Sequence, residues 1–469
     1  MRSNKTFDEL AVGEEASITR VVGRDDLFVF AHASGSLNPA NLPGVVGDHD
    51  AAPAAPAMWV GSLFSAVLGN FLPGPGTLYL SQTLHFYARA HVGDALKVSV
   101  RVEELRPPMT VVLKTRVNRG EELIADGMAE VRAPATRQLI DEAALPELTL
   151  QRHVHVDRLL GACRNLPPMP TAIVAPEEEN ALLGALAGAR ENLIVPILIG
   201  DAAKIRALAV NIGASLAGIA IEDAPSHNAA AARAVELVHQ GVATAVMKGH
   251  LHTDELLKHV VKSQGGLRIG RRISHVFVMD APSLNQLILV TDAAINIAPT
   301  LEEKVDIVQN AIDLALALGI VRPKVGVLSA VETVNPKIQS TVDAAALSKM
   351  SERGQIRGGV VDGPLAMDNA LSLAAAKTKG LTSLVAGRAD ILVAPNLEAG
   401  NILAKELTYA AQAEGAGLVI GAKVPVLLTS RADDERSRLF SCAVAVLYAY
   451  WLSEGKSAVT PAGLKEAVK

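Results

Sequence analysis

Ser430 and Arg431 set a hydroxyl beside a guanidinium just after an apolar run, Val424 to Leu428, and just before three acids, Asp433-Asp434-Glu435. The run has the length of a buried strand. The apolar-periodic segment that follows, to Trp451, reads as a helix with acids in its first turn. The pair therefore stands at a strand's carboxyl end and ahead of a helix N-terminus. Open α/β sheets bind ligands at that edge, and the free N–H groups of a helix N-terminus favour anions. Arg431 can grip a phosphate through two parallel hydrogen bonds. Ser430 can donate one more, and would serve equally as a helix N-cap. The chemistry this stretch supports is capture of an oxyanion.

Two other strand ends carry groups of the same kind. Lys248 and His252 follow the run Ala243–Met247, and Lys258 lies along the next helix; each lysine offers an anion a point charge. Asn396, Glu398, Gly400 and Asn401 follow the strand Asp390–Ala394, where the glycine permits close backbone approach. That loop is expected to line a cleft. His250, His252 and His259 have no evident fourth partner for a metal. Gly265–Gly270 is followed by Arg271-Arg272 in place of the Lys-Ser/Thr of a phosphate-binding P-loop.

The chain that must position these groups has 469 residues, enough for roughly two to four domains. Aromatics are only 3%, so the cores must be built from Ala, Val, Leu and Ile. A net charge of -5 argues against a general nucleic-acid binder. Cys163 and Cys442 lie far apart without CxxC spacing, giving neither a disulfide framework nor a zinc site. The opening MRSNKTFDEL lacks a signal-peptide core. The longest apolar run, Cys442 to Leu452, is far short of the ~18 residues of a membrane span. A soluble cytoplasmic protein is expected, with neither nucleic acid nor membrane as partner.

Residues 1–133 are strand-rich. Leu96–Glu103 and Thr110–Val117 alternate apolar with polar residues, Asn118-Arg119-Gly120 is a turn, and Leu123–Val131 resumes the alternation. Met58–Phe71 has the length of a buried helix and ends at Pro73-Gly74-Pro75-Gly76. One helix wrapped by an antiparallel sheet satisfies that order. Residues 134–152 carry prolines and mixed charge and form the linker. From 153 to 469, strands and helices alternate: Thr171–Ala175, Glu177–Ala189, Asn192–Ile199, His227–His239, Ala243–Met247, then a Thr300-to-Glu303 capping box opening a helix that Gly319 closes, and Lys324–Leu328. Such alternation predicts a mostly parallel sheet with helices on both faces.

The first region resembles the MaoC-type hot-dog domains, the family of (R)-specific enoyl-CoA hydratases. The resemblance rests on Phe7–Glu15 (FDELAVGEE), Ala33–Asn41 (ASGSLNPAN), Leu72–Phe86 and Val92–Val98 (VGDALKV). It implies an α+β hot-dog domain. The family's Ser-Gly-Asp-x-Asn-Pro-x-His motif stands here as Ser34-Gly35-Ser36-Leu37-Asn38-Pro39-Ala40-Asn41. Ser36 replaces the acid and Asn41 the histidine, and neither side chain can act as a base near neutral pH. The family's later Ala-His-Gly is Ala55-Pro56-Ala57. A structural, dimerising or acyl-CoA-sensing role is implied in place of hydration.

The second region, from about His153, resembles the phosphate acetyl/butyryltransferases. The stretches that carry this are Val246–Lys258, Ser274–Met279, Thr300–Ala311, Val325–Lys337, Val361–Leu371, Gly387–Leu407 and Pro425–Glu435, in the family's order. The TSRAD and DGPLAMDNA forms look closer to the butyryl branch. The resemblance implies an α/β domain of two lobes, similar to isocitrate dehydrogenase, with lobe I at about 153–267 and 417–469 and lobe II at about 268–416. It implies direct transfer between acyl-CoA and phosphate, no cofactor or metal, and a homo-oligomer. Ser430 would then serve the carbonyl oxygen or phosphate, and Asp433 would be the base for the CoA thiol, whose ordinary pKa is ~8.5. The acetyl branch carries its base near Ser437, which cannot do that work. Two rival expectations are an enzyme active at both sites and a non-catalytic acyl-CoA-binding scaffold.

Overall fold

The computed structural model describes residues 2–42, 53–140, 153–284, 286–428 and 434–460. The chain divides into two compact units, Met1–Leu150 and Gln151–Lys469.

In the first unit the strands are β1 (Arg2–Ser3), β2 (Glu15–Val21), β3 (Leu78–Gln82), β4 (His85–Phe86), β5 (Ala95–Arg106), β6 (Thr110–Arg119), β7 (Glu122–Arg132) and β8 (Leu139–Ile140). The main sheet is antiparallel in the order β2-β5-β6-β7-β3, with β4 also on β7, while β1 pairs with β8. The period-two pattern decides which face is buried. On β5, Leu96, Val98, Val100 and Val102 are inaccessible to solvent, while Lys97 and Arg101 between them and Glu103 just beyond are exposed. The helix Ala57–Asn70 lays Trp59, Val60, Phe64, Val67 and Leu68 into the same core. This is the hot-dog arrangement of one helix wrapped by an antiparallel sheet.

The second unit carries β9 (Met169–Val174), β10 (Ile194–Gly200), β11 (Ala220–Asp223), β12 (Ala245–Lys248), β13 (Ser274–Asp280), β14 (Ile288–Thr291), β15 (Lys324–Leu328), β16 (Val360–Leu365), β17 (Ile391–Val393), β18 (Glu414–Ile420) and β19 (Val426–Leu427). They form one sheet in the order β11-β10-β9-β12-β19-β18-β13-β14-β17-β15-β16. The two flanks are parallel. The centre is not: β18 runs antiparallel to β19 and to β13, and β13 antiparallel to β14. Strand–helix alternation does not reveal this central reversal, because short apolar strands read alike in either direction.

Successive residues of β9 feed opposite cores. Met169 and Ile173 join Leu182, Phe440 and Val444 on one face. Ala172 and Val174 join Ala230, Ala234, Leu256 and Val260 on the other. Helices therefore cover both faces. Local chemistry fixes their ends. The Thr300 hydroxyl accepts from the Glu303 N–H at 3.3 Å, the Glu303 carboxylate accepts from the Thr300 N–H at 2.9 Å, and Gly319 follows the helix at φ 85°.

The central strands enclose polar groups. Thr291 Oγ1 donates to the His275 carbonyl at 2.9 Å, and the His275 N–H donates to Asp292 Oδ2 at 3.1 Å. The His275 ring is buried against Phe277, with no hydrogen-bond partner on Nδ1. Burial holds this imidazole down at about 4, while the Asp292 carboxylate pulls the other way. The folded chain thus keeps His275 neutral where the unfolded chain, near 6.5, already binds a proton. Stability tied to His275 is present above pH 6.5 and drains as pH falls toward 4. His275→Leu should shrink the loss of unfolding free energy across that window by roughly 2–3 kcal/mol. Denaturant titrations at the two ends measure it; equal losses in both proteins contradict the assignment.

Candidate functional site

Three adjacent parallel strands, β9, β12 and β19, leave the sheet side by side. At the β12 exit the Gly249 N–H donates to the Val174 carbonyl at 2.8 Å and the His250 N–H to the Ala175 carbonyl at 2.7 Å. Ala175 takes a left-handed backbone, φ 52°, to present that carbonyl. A Cβ on Gly249 would lie 2.4 Å from both carbonyl oxygens, so only glycine fits. Lys248 is 6% exposed, and its ammonium donates to the Gly249 and Leu251 carbonyls at 3.3 and 3.4 Å. The turn that it braces delivers His252 to the start of the helix Thr253–Val260, where the His252 N–H donates to Glu255 at 3.3 Å. Lys258 stands on the helix's solvent face, 3.7 Å from Asp254.

At the neighbouring exit, Leu428 donates its N–H to the Gly417 carbonyl at 3.1 Å. Ser430, Arg431 and Asp433 come next and lie outside the described residues. The helix Glu435–Glu454 opens with Asp434 as N-cap, its carboxylate accepting from the Ser437 N–H at 2.8 Å. Glu435 pairs with Arg190, and Arg436 with Glu414 and Asp157. The described acids and bases of this first turn therefore secure the helix, as the macrodipole favours for acids.

The second predicted set sits elsewhere on the sheet. Asn396 caps the helix Leu397–Tyr409 by accepting from the Ala399 N–H at 2.9 Å, and Glu398 is exposed. Gly400 does provide close backbone approach, but to protein: a Cβ there would lie 2.2 Å from the Asp292 carbonyl. Asn401 donates to the Ala293 carbonyl at 3.0 Å. This set fixes the loop after β14. Asp292 is the hub of that loop, its Oδ1 accepting from the Ala294 and Ile295 N–H groups at 2.9 Å each. The registers run β14 and β17 in the opposite sense to β12 and β19, so the two predicted sets leave the sheet in opposite senses.

A cavity of about 250 Å³ opens between the end of the helix that carries Lys258 and the loop that Asn401 holds. Val261, Arg268, Arg272, Ile273, Ile295 and Asn296 line it. Arg272 is fixed there: its Nε donates to Asn296 Oδ1 at 2.7 Å, and its other arm pairs with Glu303 at 2.8 Å. Sequence reasoning missed Arg268, Arg272, Asp292 and Asn296. The Arg271-Arg272 pair weighed only against a P-loop, and nothing local marks Asp292 as a hub. His259 bonds Asn228 Oδ1 at 2.8 Å. Among the described residues no three metal-binding side chains converge.

In the first unit, the helix Arg24–Ser34 ends at Gly35, φ 71°, and Ser36 is exposed, its N–H donating to Ser34 Oγ at 3.3 Å. Asn41 Nδ2 donates to the Ala54 carbonyl at 2.8 Å. Asn41 thus straps its own turn to the segment that carries Ala54. The nearby Asp48, His49 and Asp50 lie outside the described residues.

A family model described as Phosphate acetyl/butaryl transferase matches residues 225–446. The phosphate acetyltransferase of Rhizobium meliloti is 56% identical over 293 residues, covering 62% of this chain and 93% of that protein. Among solved structures, a branched-chain phosphotransacylase from Enterococcus faecalis is 32% identical, with TM-score 0.53, over 60% of this chain and 99% of that one. An R-hydratase from Pseudomonas aeruginosa is 36% identical, with TM-score 0.30, over 32% of this chain and 98% of that one.

The tight β9–β12 exit makes a stability prediction. Gly249→Ala should cost roughly 1–3 kcal/mol, because rigid backbone carbonyls must shift. Gly161, inside the helix Val154–Cys163, has nothing within 4 Å of its missing Cβ. Gly161→Ala should be neutral or stabilise by up to about 1 kcal/mol. Equal effects of the two substitutions in thermal or denaturant unfolding would refute the role given to the Gly249 contact.

Proposed function

The chain belongs to the phosphate acetyl/butyryltransferase family through its second unit, and from that premise we propose how it moves a short acyl group between coenzyme A and inorganic phosphate. The observation that carries the reading is the set of adjacent exits of β9, β12 and β19, with the Ser430-Arg431 stretch directly after the last of them. A phosphate oxygen attacks the thioester carbonyl, the carbon–sulfur bond breaks, and acyl phosphate and CoA leave. Holding the two reactants in line can supply ~7–11 kcal/mol of the barrier. Arg431 meets the phosphate with two charge-assisted bonds. Ser430 donates to the phosphate or to the charge building on the carbonyl oxygen. Asp433 takes the proton from the thiol when the reaction runs toward acyl-CoA.

On this reading the unit has two lobes, similar to isocitrate dehydrogenase, and the cavity beside Arg268 belongs to the cleft between them. His252 and Lys258 approach that cleft from one helix. Asn396, Glu398, Gly400 and Asn401 shape its other wall by setting the loop after β14. CoA and phosphate are substrates, and the proposed chemistry calls on no further cofactor or metal. The TSRAD form supports a butyryl-sized acyl group, within a family whose members take acetyl groups as well. Among the described residues no helix is long and apolar enough to cross a membrane, which fits a cytoplasmic enzyme. We take it as a homo-oligomer by analogy with its family.

The hot-dog unit keeps its fold without the acid–base pair, so its role is structural or in binding acyl-CoA. Crotonyl-CoA should show no useful hydration in an absorbance assay of the enoyl band; measurable turnover would restore the bifunctional reading. The purified full chain should release CoA from short-chain thioesters only when phosphate is present, and phosphate-independent or absent release would sink the transferase reading. Arg431→Ala should weaken phosphate use by roughly tenfold or more, since one charge-assisted contact is worth ~1.5–3 kcal/mol. Unchanged phosphate kinetics would contradict that role.

A further inference from the structure

His250 and His252 follow β12, His227 opens the helix His227–His239, and His259 stands near the end of the helix Thr253–Val260. Two of these rings are committed. His227 lies between carboxylates, its Nε2 3.7 Å from Glu177 and its Nδ1 3.9 Å from Glu255, and His259 bonds Asn228. His252 is exposed, and among the described residues no carboxylate pairs with its ring.

His250 is held differently. Its backbone N–H is tied to the Ala175 carbonyl at 2.7 Å. Its Nδ1 is buried without a hydrogen-bond partner and lies 4.0 Å from Glu178 Oε2, yet the side chain as a whole is 41% exposed. One ring nitrogen therefore turns inward to a carboxylate, and the open edge of the ring carries the other. Glu178 is fixed in its turn: it precedes the helix Glu179–Arg190, and its carbonyl accepts from the Leu182 N–H at 3.0 Å. Of the other charges nearby, the Lys248 ammonium donates to the Gly249 and Leu251 carbonyls, while Glu177 and Glu255 flank His227. A carboxylate beside Nδ1 favours the tautomer with its proton there and leaves the Nε2 lone pair facing out. That is how a general base is oriented, and such contacts are often long until substrate binds.

The place of His250 in the sheet suits the phosphate side of the reaction. Met247 pairs with Leu427 across β12 and β19. Along the sequence, His250 is the third residue past that pair on one strand and Ser430 the third on the other. Neighbouring strands lie ~4.8 Å apart. The stretch given to phosphate above thus starts from the strand beside His250. Near neutral pH inorganic phosphate still carries a proton that attack on a thioester must shed, and histidine is the side chain that ordinarily titrates in that range.

We propose that His250, oriented by Glu178, is the acid–base residue for phosphate, working with Asp433 on the CoA side. The proposal rests on the acyl-transfer reading above. Nε2 takes the proton of hydrogen phosphate as a phosphate oxygen bonds to the carbonyl carbon. The carbon–sulfur bond breaks, sulfur leaves with the electron pair, and protonated Asp433 gives it a proton. One proton leaves phosphate and one reaches sulfur, and exchange with water resets both groups. The reverse reaction exchanges the two roles.

Phosphate-dependent thiol release by the full chain tests this. His250→Ala should lower kcat roughly 100-fold while KM for acyl-CoA stays within about threefold. Added imidazole should restore part of the rate, above a phosphate-free control and in proportion to its neutral form. Glu178→Gln should lower kcat less and move the acid limb of the kcat profile to lower pH, because the imidazolium loses its carboxylate. An unchanged kcat in His250→Ala, a loss confined to KM, or a loss that imidazole leaves untouched would each overturn the role. Wild-type protein that releases no CoA with phosphate sinks the transferase reading instead. The imidazole resonances of His250, assigned by their absence in His250→Ala, then decide the contact: they should shift as inorganic phosphate is titrated in, and resonances indifferent to phosphate refute it.

Discussion

Seven paired residues, Ser274 to Asp280 of β13 against Ile420 to Glu414 of β18, join the two parallel halves of the large sheet into one. Everything proposed for the second unit depends on that ladder. The half with β9, β12 and β19 supplies the exits around Lys248 and Leu428. The half with β14 and β17 supplies Asp292 and the loop held by Asn401. Without the antiparallel centre these would be two independent α/β sheets, each with its own edge and neither with the other's polar groups. The ladder is also where the core tolerates polarity. Asn310 donates to Ser274 Oγ and to the Arg272 carbonyl, and the His275 backbone N–H donates to the Asp292 carboxylate. Such groups are costly unless satisfied, so the junction is specified by hydrogen bonds as well as by apolar contact.

Much of this architecture was legible from the chain because local rules set it. Alternation put Leu96, Val98, Val100 and Val102 of β5 inward. The Thr300 capping box and Gly319 bounded a helix within a residue. The helix His227–His239 has the bounds that its pattern gave. What escaped was set by partners distant in sequence. Asp292 receives four hydrogen bonds, from His275, Ala294, Ile295 and Asn296, and no local pattern forecasts them. Arg268 and Asn296 meet around a cavity although 28 positions part them in the sequence. Site residues were legible as types of chemistry, not as an arrangement.

The glycines divide the same way. Gly400 permits the close backbone approach expected of it in a loop that was expected to line a cleft, and what approaches is the Asp292 carbonyl. Gly249 drew no reading and turns out to be indispensable, because two strand ends pack backbone to backbone there. A missing side chain signals close approach but not the identity of what approaches. Only the fold tells whether it is protein or substrate.

The hot-dog unit shows that a fold and its chemistry are held by separate residues. Its core runs through Phe64, Leu96, Val98 and Leu113, all fully buried and none in the hydratase motif. Replacing an acid with Ser36 leaves an exposed loop exposed, and replacing a histidine with Asn41 leaves a side chain that still bonds the Ala54 carbonyl. Neither change opens a cavity or strands a buried charge, the two routes by which substitutions usually unfold a domain. The unit therefore keeps its shape with Ser36 and Asn41 at these positions.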